Sequence, residues 1–175
     1  MRVPTREECF EILKEYRLPQ RIIDHTLMVN KVAMLLAKKL VERGIQINLD
    51  LLDSASLLHD LDKIITLKDG DNHGKISAKI LIERGYPELA KLVKVHKSEC
   101  LADDLIQTWE EKLLLYADCR SQWDKIVDLK TRFQYGRDNY PHLNDIKYKD
   151  IEKKGHEIEK EIFQYIDFEP EELKI

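Results

Sequence analysis

The sequence predicts an all-α fold of about six to eight helices, and three observations carry that expectation. Apolar residues recur three and four positions apart through most of the 175 residues. Gly and Pro are scarce, at 6 and 5, while helix-favouring Leu, Lys and Glu abound. Alternation of apolar and polar residues never persists beyond a few positions, so no strand pattern competes. With 43% hydrophobic and 35% charged residues, the chain can fold around a core of its own and is neither disordered nor collagen-like.

The elements follow in order. Thr5 with Glu8 forms a capping box that opens a short helix reaching about Tyr16. Pro19 sits where the next helix begins, and Ile22, Val29, Val32, Ala33, Leu36 and Leu40 mark its apolar stripe up to Arg43. Gly44 stops it. Asn48 caps a third helix carrying Leu51, Leu52, Ala55 and Leu58, expected to end near Leu61 to Lys63. Leu67 to Asn72 reads as a loop, and His73 to Arg84 as a fourth helix closed by Gly85. Pro87 opens a fifth, to about Lys97. Thr108 with Glu111 is a second capping box, and its helix runs through Asp118. Ile126 to Gly136 suggests another short helix, and Pro141 and Asn144 punctuate a loop. Lys149 to Phe168 is a charged last helix with Ile151, Ile158, Ile162 and Ile166 on one side. There is no repeat or flexible linker. The expected organisation is one domain over 1–175, with a core at about 20–122 and a C-terminal helical extension at 123–175. That last helix either lies solvated on the domain or forms a homodimer contact.

Charge and cysteines restrict the partners. A net charge of −4, from 29 basic and 33 acidic residues, disfavours a nucleic-acid polymer, which needs a basic face. The start MRVPTREECF is charged from its second residue and predicts no signal peptide, and no apolar run approaches the ~18 residues of a membrane span. Cys9, Cys100 and Cys119 form no CxxC pair, which fits a reduced, cytoplasmic protein.

Chemistry concentrates in polar residues on core-facing stripes. His25 lies between Ile22 and Val29 on its helix, and His59-Asp60 ends an otherwise apolar helix. His73 opens a helix with Ile76 one turn on; His96 follows Leu92 and Val93; Asp118 follows Leu114 and Leu115. Each alone has an ordinary reading. A lone core histidine is hydrogen-bonded, His59-Asp60 can be a helix-end pair, His73 a cap, and Asp118 a partner of Arg120 or Lys97. Together they suggest an inward-facing metal site, because a buried ionised carboxylate is costly unless paired or metal-bound. Imidazole with carboxylate suits Fe, Mn, Ni, Co or Zn.

The order His25 … His59-Asp60 … Asp118 resembles the HD superfamily of metal-dependent phosphohydrolases. The string Leu57-Leu58-His59-Asp60-Leu61-Asp62-Lys63 is similar to its HDIGK subtype, and His73-Gly74-Lys75-Ile76-Ser77-Ala78 followed by His96 looks like the auxiliary histidines of its two-metal members. The likeness spans roughly Arg21 to Arg120. It implies that His25, His59, Asp60 and Asp118 hold a first metal and that Asp60 bridges to a second held by His73 and His96. Asp62 stands where the subtype has Gly and is either a loop residue or a group that supports the site or acts there as an acid or base. The strings HDxxED and HD-GYP, typical of the guanosine-tetraphosphate and cyclic-dinucleotide branches, are absent.

The expected function is hydrolysis of a phosphate ester or anhydride of a small molecule, a nucleotide above all, by metal-activated water. Asp60 and Lys63 are the expected catalytic residues, and Lys63, Lys97 and Arg120 the expected phosphate contacts. The alternatives are a mononuclear nucleotide 5′-phosphatase using only the first ligand set, a non-catalytic metal-containing nucleotide-binding module, and a purely structural helical protein. Trp109, Trp123 and Tyr116 are candidates for base stacking or for the core. His142 reads as a loop residue and His156 as solvent-facing. Two divalent ions would cancel the −4, so the composition does not argue against an anionic substrate.

Overall fold

The computed structural model describes residues 2–66, 73–139 and 145–175. The predicted loops at Leu67–Asn72 and around Pro141, His142 and Asn144 lie outside the described residues. The helices are α1 (Arg6–Glu15), α2 (Gln20–Glu42), α3 (Leu49–Leu58), α4 (Lys63–Thr66), α5 (Lys75–Glu83), α6 (Pro87–Lys94), α7 (Glu99–Ala102), α8 (Trp109–Cys119), α9 (Leu129–Asn139) and α10 (Asp145–Phe163). Ten helices among the described residues exceed the six to eight expected; the excess is α4 and α7, four-residue turns too short to show a helical period. A two-residue hairpin, β1 (Ser121–Gln122) with β2 (Lys125–Ile126), was also invisible to periodicity.

Local chemistry sets the helix starts. Both capping boxes form: the Thr5 and Thr108 hydroxyls accept from the amides of Glu8 and Glu111, whose carboxylates accept from the cap amides. The Asn48 side chain accepts from Leu51 N and opens α3. Helix α2 is the central pillar. Its Val29, Val32, Ala33, Leu36 and Leu40 are fully buried, and it packs on α3 and α8. Asn30 locks the rotation of α3 against it, donating to Asp53 Oδ1 and Ser56 Oγ, each at 2.8 Å, while accepting from Arg6 of α1 at 3.0 Å. Helix α5 packs on α6, and α10 lies across α7, α8 and α9. The apolar side of α10 is consumed within the chain: Ile151, Ile158 and Ile162 are buried. Gly155 permits this close seat, since a Cβ there would meet the Phe133 ring of α9 at 2.7 Å.

Candidate metal centre

Helix α3 runs straight into the site. His59 ends it, Asp60 to Asp62 form the following turn, and Lys63 starts α4. His25 comes from α2, His73 from the turn before α5, His96 from the end of α6 and Asp118 from α8. Five segments thus deliver one or two side chains each to a single point, as in helix-bundle metal sites generally.

The ring orientations are set from outside. His59 Nδ1 contacts Ser56 O at 2.9 Å, and Ser56 Oγ also holds Asn30. His96 Nδ1 contacts Val93 O at 2.6 Å, and His73 Nδ1 contacts Asp62 Oδ1 at 2.7 Å. With the Nδ1 hydrogens donated outward, the Nε2 lone pairs turn inward, an arrangement common to metal-binding histidines. Gly74 adds to it: its φ is +80°, and a Cβ there would sit 3.3 Å from the His96 ring.

The inward atoms divide around Asp60. Its Oδ2 lies 3.7 Å from His59 Nε2 and 3.9 Å from His25 Nε2, which in turn is 3.0 Å from Asp118 Oδ1. Its Oδ1 lies 3.0 Å from His73 Nε2 and 3.7 Å from His96 Nε2, and those two nitrogens are 3.1 Å apart. One carboxylate therefore presents one oxygen to each pair of histidines. His25, His59 and Asp118 form one compact triad of donor atoms, and His59, Asp60 and His96 another. The donor set fits divalent cations. Bond lengths of about 2.0–2.2 Å place neighbouring ligands roughly 3.0–3.6 Å apart in octahedral or tetrahedral shells, close to the separations here. His59 Nε2 is buried with no hydrogen-bond partner, the unmet lone pair expected of a ligand.

The charges are tuned to match. Burial pushes His59 down to about 4, so its lone pair is free at neutral pH. Burial opposes ionisation of Asp60, yet Lys63, His59 and His73 outweigh it and hold the carboxyl well below its usual range. Burial likewise opposes charge on Asp118, and the His25 hydrogen bond with the Arg132 charge lowers it nonetheless. For His73, burial disfavours the cation, but contacts with Asp60 and Asp62 prevail and raise its pKa to about 9. A folded value above the ordinary 6.5 means a stabilising contribution complete below that pH and lost as pH climbs through 9. After chelation, the protein should therefore lose thermal stability over that window, with the His73 ring signal in NMR titrating near its upper end. Metal uptake at neutral pH should release a proton. A His73 midpoint near that of a free imidazole would refute both expectations.

Asp62 supports the site. It is buried and accepts from His73 Nδ1, from Gly74 N at 2.8 Å and from Ser77 N at 3.0 Å. It thereby orients His73 and caps the start of α5 at once. Asp62→Ala should weaken metal binding on the His73 side by about 10- to 100-fold, measured by competition with a chelating dye. Unchanged affinity would remove Asp62 from the site.

The expected phosphate contacts divide. Lys63 Nζ lies 3.5 Å from Asp60 Oδ1 and 3.3 Å from His73 Nε2. Lys97 turns aside to Glu99, at 3.7 Å, and is absent from the pocket lining. Arg120 is a correction. It is 3% exposed, and its guanidinium is spent on Val127 O (2.7 Å), Pro170 O (2.8 Å), Tyr116 Oη and Glu159. Two residues on a helix span about 200°, so Arg120 points away from Asp118 toward α10. The cation beside Asp118 is instead Arg132, at 3.7 Å, which the sequence reading missed because α9 is remote in sequence and carries no motif. Tyr116 and Trp109 pack against Phe163 and Tyr165 near the extension. Cys119 is buried and belongs to neither donor triad, and burial pushes its thiol up to about 12. His156 is exposed, as expected. A pocket open to solvent meets the cluster, lined in part by His25, Asp60, Lys63, Trp123, Arg132 and Tyr135.

Residues 22–129 match the HD domain. An uncharacterized protein of Methanocaldococcus jannaschii is 31% identical over 125 residues, 64% of this chain and 72% of that protein. A tRNA (cytidine(56)-2′-O)-methyltransferase of Picrophilus torridus is 27% identical over 141 residues, covering 73% of this chain and 39% of that protein. The crystal structure of a predicted HD superfamily hydrolase from an uncultured Thermotogales bacterium superposes over 94% of this chain and 93% of its own, with a TM-score of 0.52 and 20% identity. Among the described residues no helix is long and apolar enough to cross a membrane.

Proposed function

Because the chain belongs to the HD domain family, we propose that it is a metal-dependent phosphohydrolase acting on a phosphate ester or anhydride of a small molecule, a nucleotide above all. The observation that carries this reading is the division of Asp60, with one carboxylate oxygen toward His25 and His59 and the other toward His73 and His96. Two divalent cations are the fitting complement, drawn from Fe, Mn, Ni, Co or Zn, which this mixed donor set suits. His25, His59, Asp60 and Asp118 would hold one, and Asp60, His73 and His96 the other. When bound, such a pair supplies activated water and neutralises charge on the phosphoryl oxygens.

The chain's own residues do the rest. Ser56 O, Val93 O and Asp62 hold the imidazoles in one tautomer. Lys63, about one-third exposed beside Asp60, is placed to meet a phosphate as a point charge. Arg132 supplies a second cation beside Asp118.

The test is a panel of phosphomonoesters, nucleotides and dinucleoside polyphosphates, assayed for product with protein reconstituted with each metal in turn. The reading expects hydrolysis that needs the metal and stops with EDTA. Tight metal binding without hydrolysis of any compound would overturn it in favour of a metal-containing binding module.

A further inference from the structure

Trp123 is an odd residue for its position. It takes the first turn position of the β1–β2 hairpin with φ +58°, a left-handed conformation that Gly adopts freely and that strains a bulky side chain. Such strain persists where the surroundings over-determine it, and it concentrates at ligand sites. The surroundings here do fix the ring. The Arg21 guanidinium lies over it, 3.3 Å from the centroid, and the Tyr135 ring meets it edge-on at 6.4 Å. Both aromatic residues are half-buried and line the pocket that opens onto Asp60 and His25, whereas Arg21 is outside the lining. The indole is therefore backed by a cation while remaining a pocket wall. Arg132 joins this wall to the cluster, its guanidinium 5.9 Å from the Tyr135 ring and 3.7 Å from Asp118. Arg132 and Tyr135 lie beyond the segment 22–129 that matches the HD domain, so this wall is completed by the chain's own extension.

We propose that Trp123 and Tyr135 form a subsite for a planar heterocyclic base, so that the ligand is a nucleotide whose base rests on Trp123 while its phosphate reaches Asp60 past Arg132. This rests on the phosphohydrolase reading for the phosphate end only. Base–aromatic stacking tolerates any base, so the subsite selects nucleotides over base-free phosphates without choosing among bases.

Calorimetric titration of the metal-loaded protein with adenosine 5′-monophosphate and with ribose 5-phosphate tests it. The expected result is at least tenfold tighter binding of the nucleotide. In Trp109→Phe protein, which keeps Trp123 as its only indole, the nucleotide should quench the emission and the sugar phosphate should not. Trp123→Gly, which suits the turn and so preserves the fold, should bring the two affinities together, and Trp123→Phe should keep most of the preference. Equal affinities in the unmodified protein, a preference that survives in Trp123→Gly, or binding of neither ligand would overturn the subsite. A Trp123-dependent preference without hydrolysis of either compound supports the subsite while counting against the phosphohydrolase reading. Hydrolysis of both compounds with equal affinities does the reverse.

Discussion

Asp60→Asn should lower hydrolysis by on the order of a thousandfold while leaving the protein folded. The substitution keeps the shape of a side chain that is almost wholly buried and removes the charge that both histidine pairs face. Several kcal/mol of transition-state stabilisation depend on cations that this charge would help hold, and each factor of ten in rate corresponds to about 1.4 kcal/mol. No other described carboxylate faces both pairs: Asp118 meets His25, and Asp62 meets only the outer nitrogen of His73. Rates at saturating metal, with circular dichroism as the folding control, provide the check. A loss below tenfold would mean that Asp60 does not link the two halves of the site.

Arg120→Met should act in the opposite way, costing about 3–5 kcal/mol of stability while leaving metal content unchanged. Arg120 ties the residue after β2 and the C-terminal segment to α8 and α10: it donates to Val127 O and Pro170 O and, with Tyr116, pairs with Glu159 of α10. Removing it takes a donor from the Glu159 carboxylate and the Tyr116 hydroxyl, which keep each other, and from the carbonyls of Val127 and Pro170. Met restores the volume of the side chain, so the cost is electrostatic and directional rather than a cavity. Urea unfolding of the chelated protein measures it, and a change within 1 kcal/mol, which is about the value of an exposed ion pair, would show that the extension is held by its apolar face alone.

The contrast between these residues shows what the sequence could disclose. The capping boxes at Thr5 and Thr108 are local in sequence, and the structure forms both. His59 and Asp60 stood out because polar residues broke an apolar stripe, a signal that helical periodicity makes visible. Asp62 was half-legible: its place beside the motif drew attention, but its task depends on the amides of Gly74 and Ser77 across a turn. Arg120 was misread although helical geometry already placed it opposite Asp118. Arg132 had no signal at all, because its approach to Asp118 comes from packing of α9 on α8. The strain at Trp123 lies in a backbone angle that residue identity does not encode.

Elemental analysis of anaerobically purified protein, alongside His59→Gln, tests the central claim most directly. His59 Nε2 is buried without a hydrogen-bond partner, and it belongs to both donor triads. A metal centre predicts close to two divalent ions per chain in the unmodified protein and the loss of at least the ion that His59 would hold in the variant, with the fold retained. Metal-free protein that cannot be reconstituted, or equal metal content in protein and variant, would contradict it.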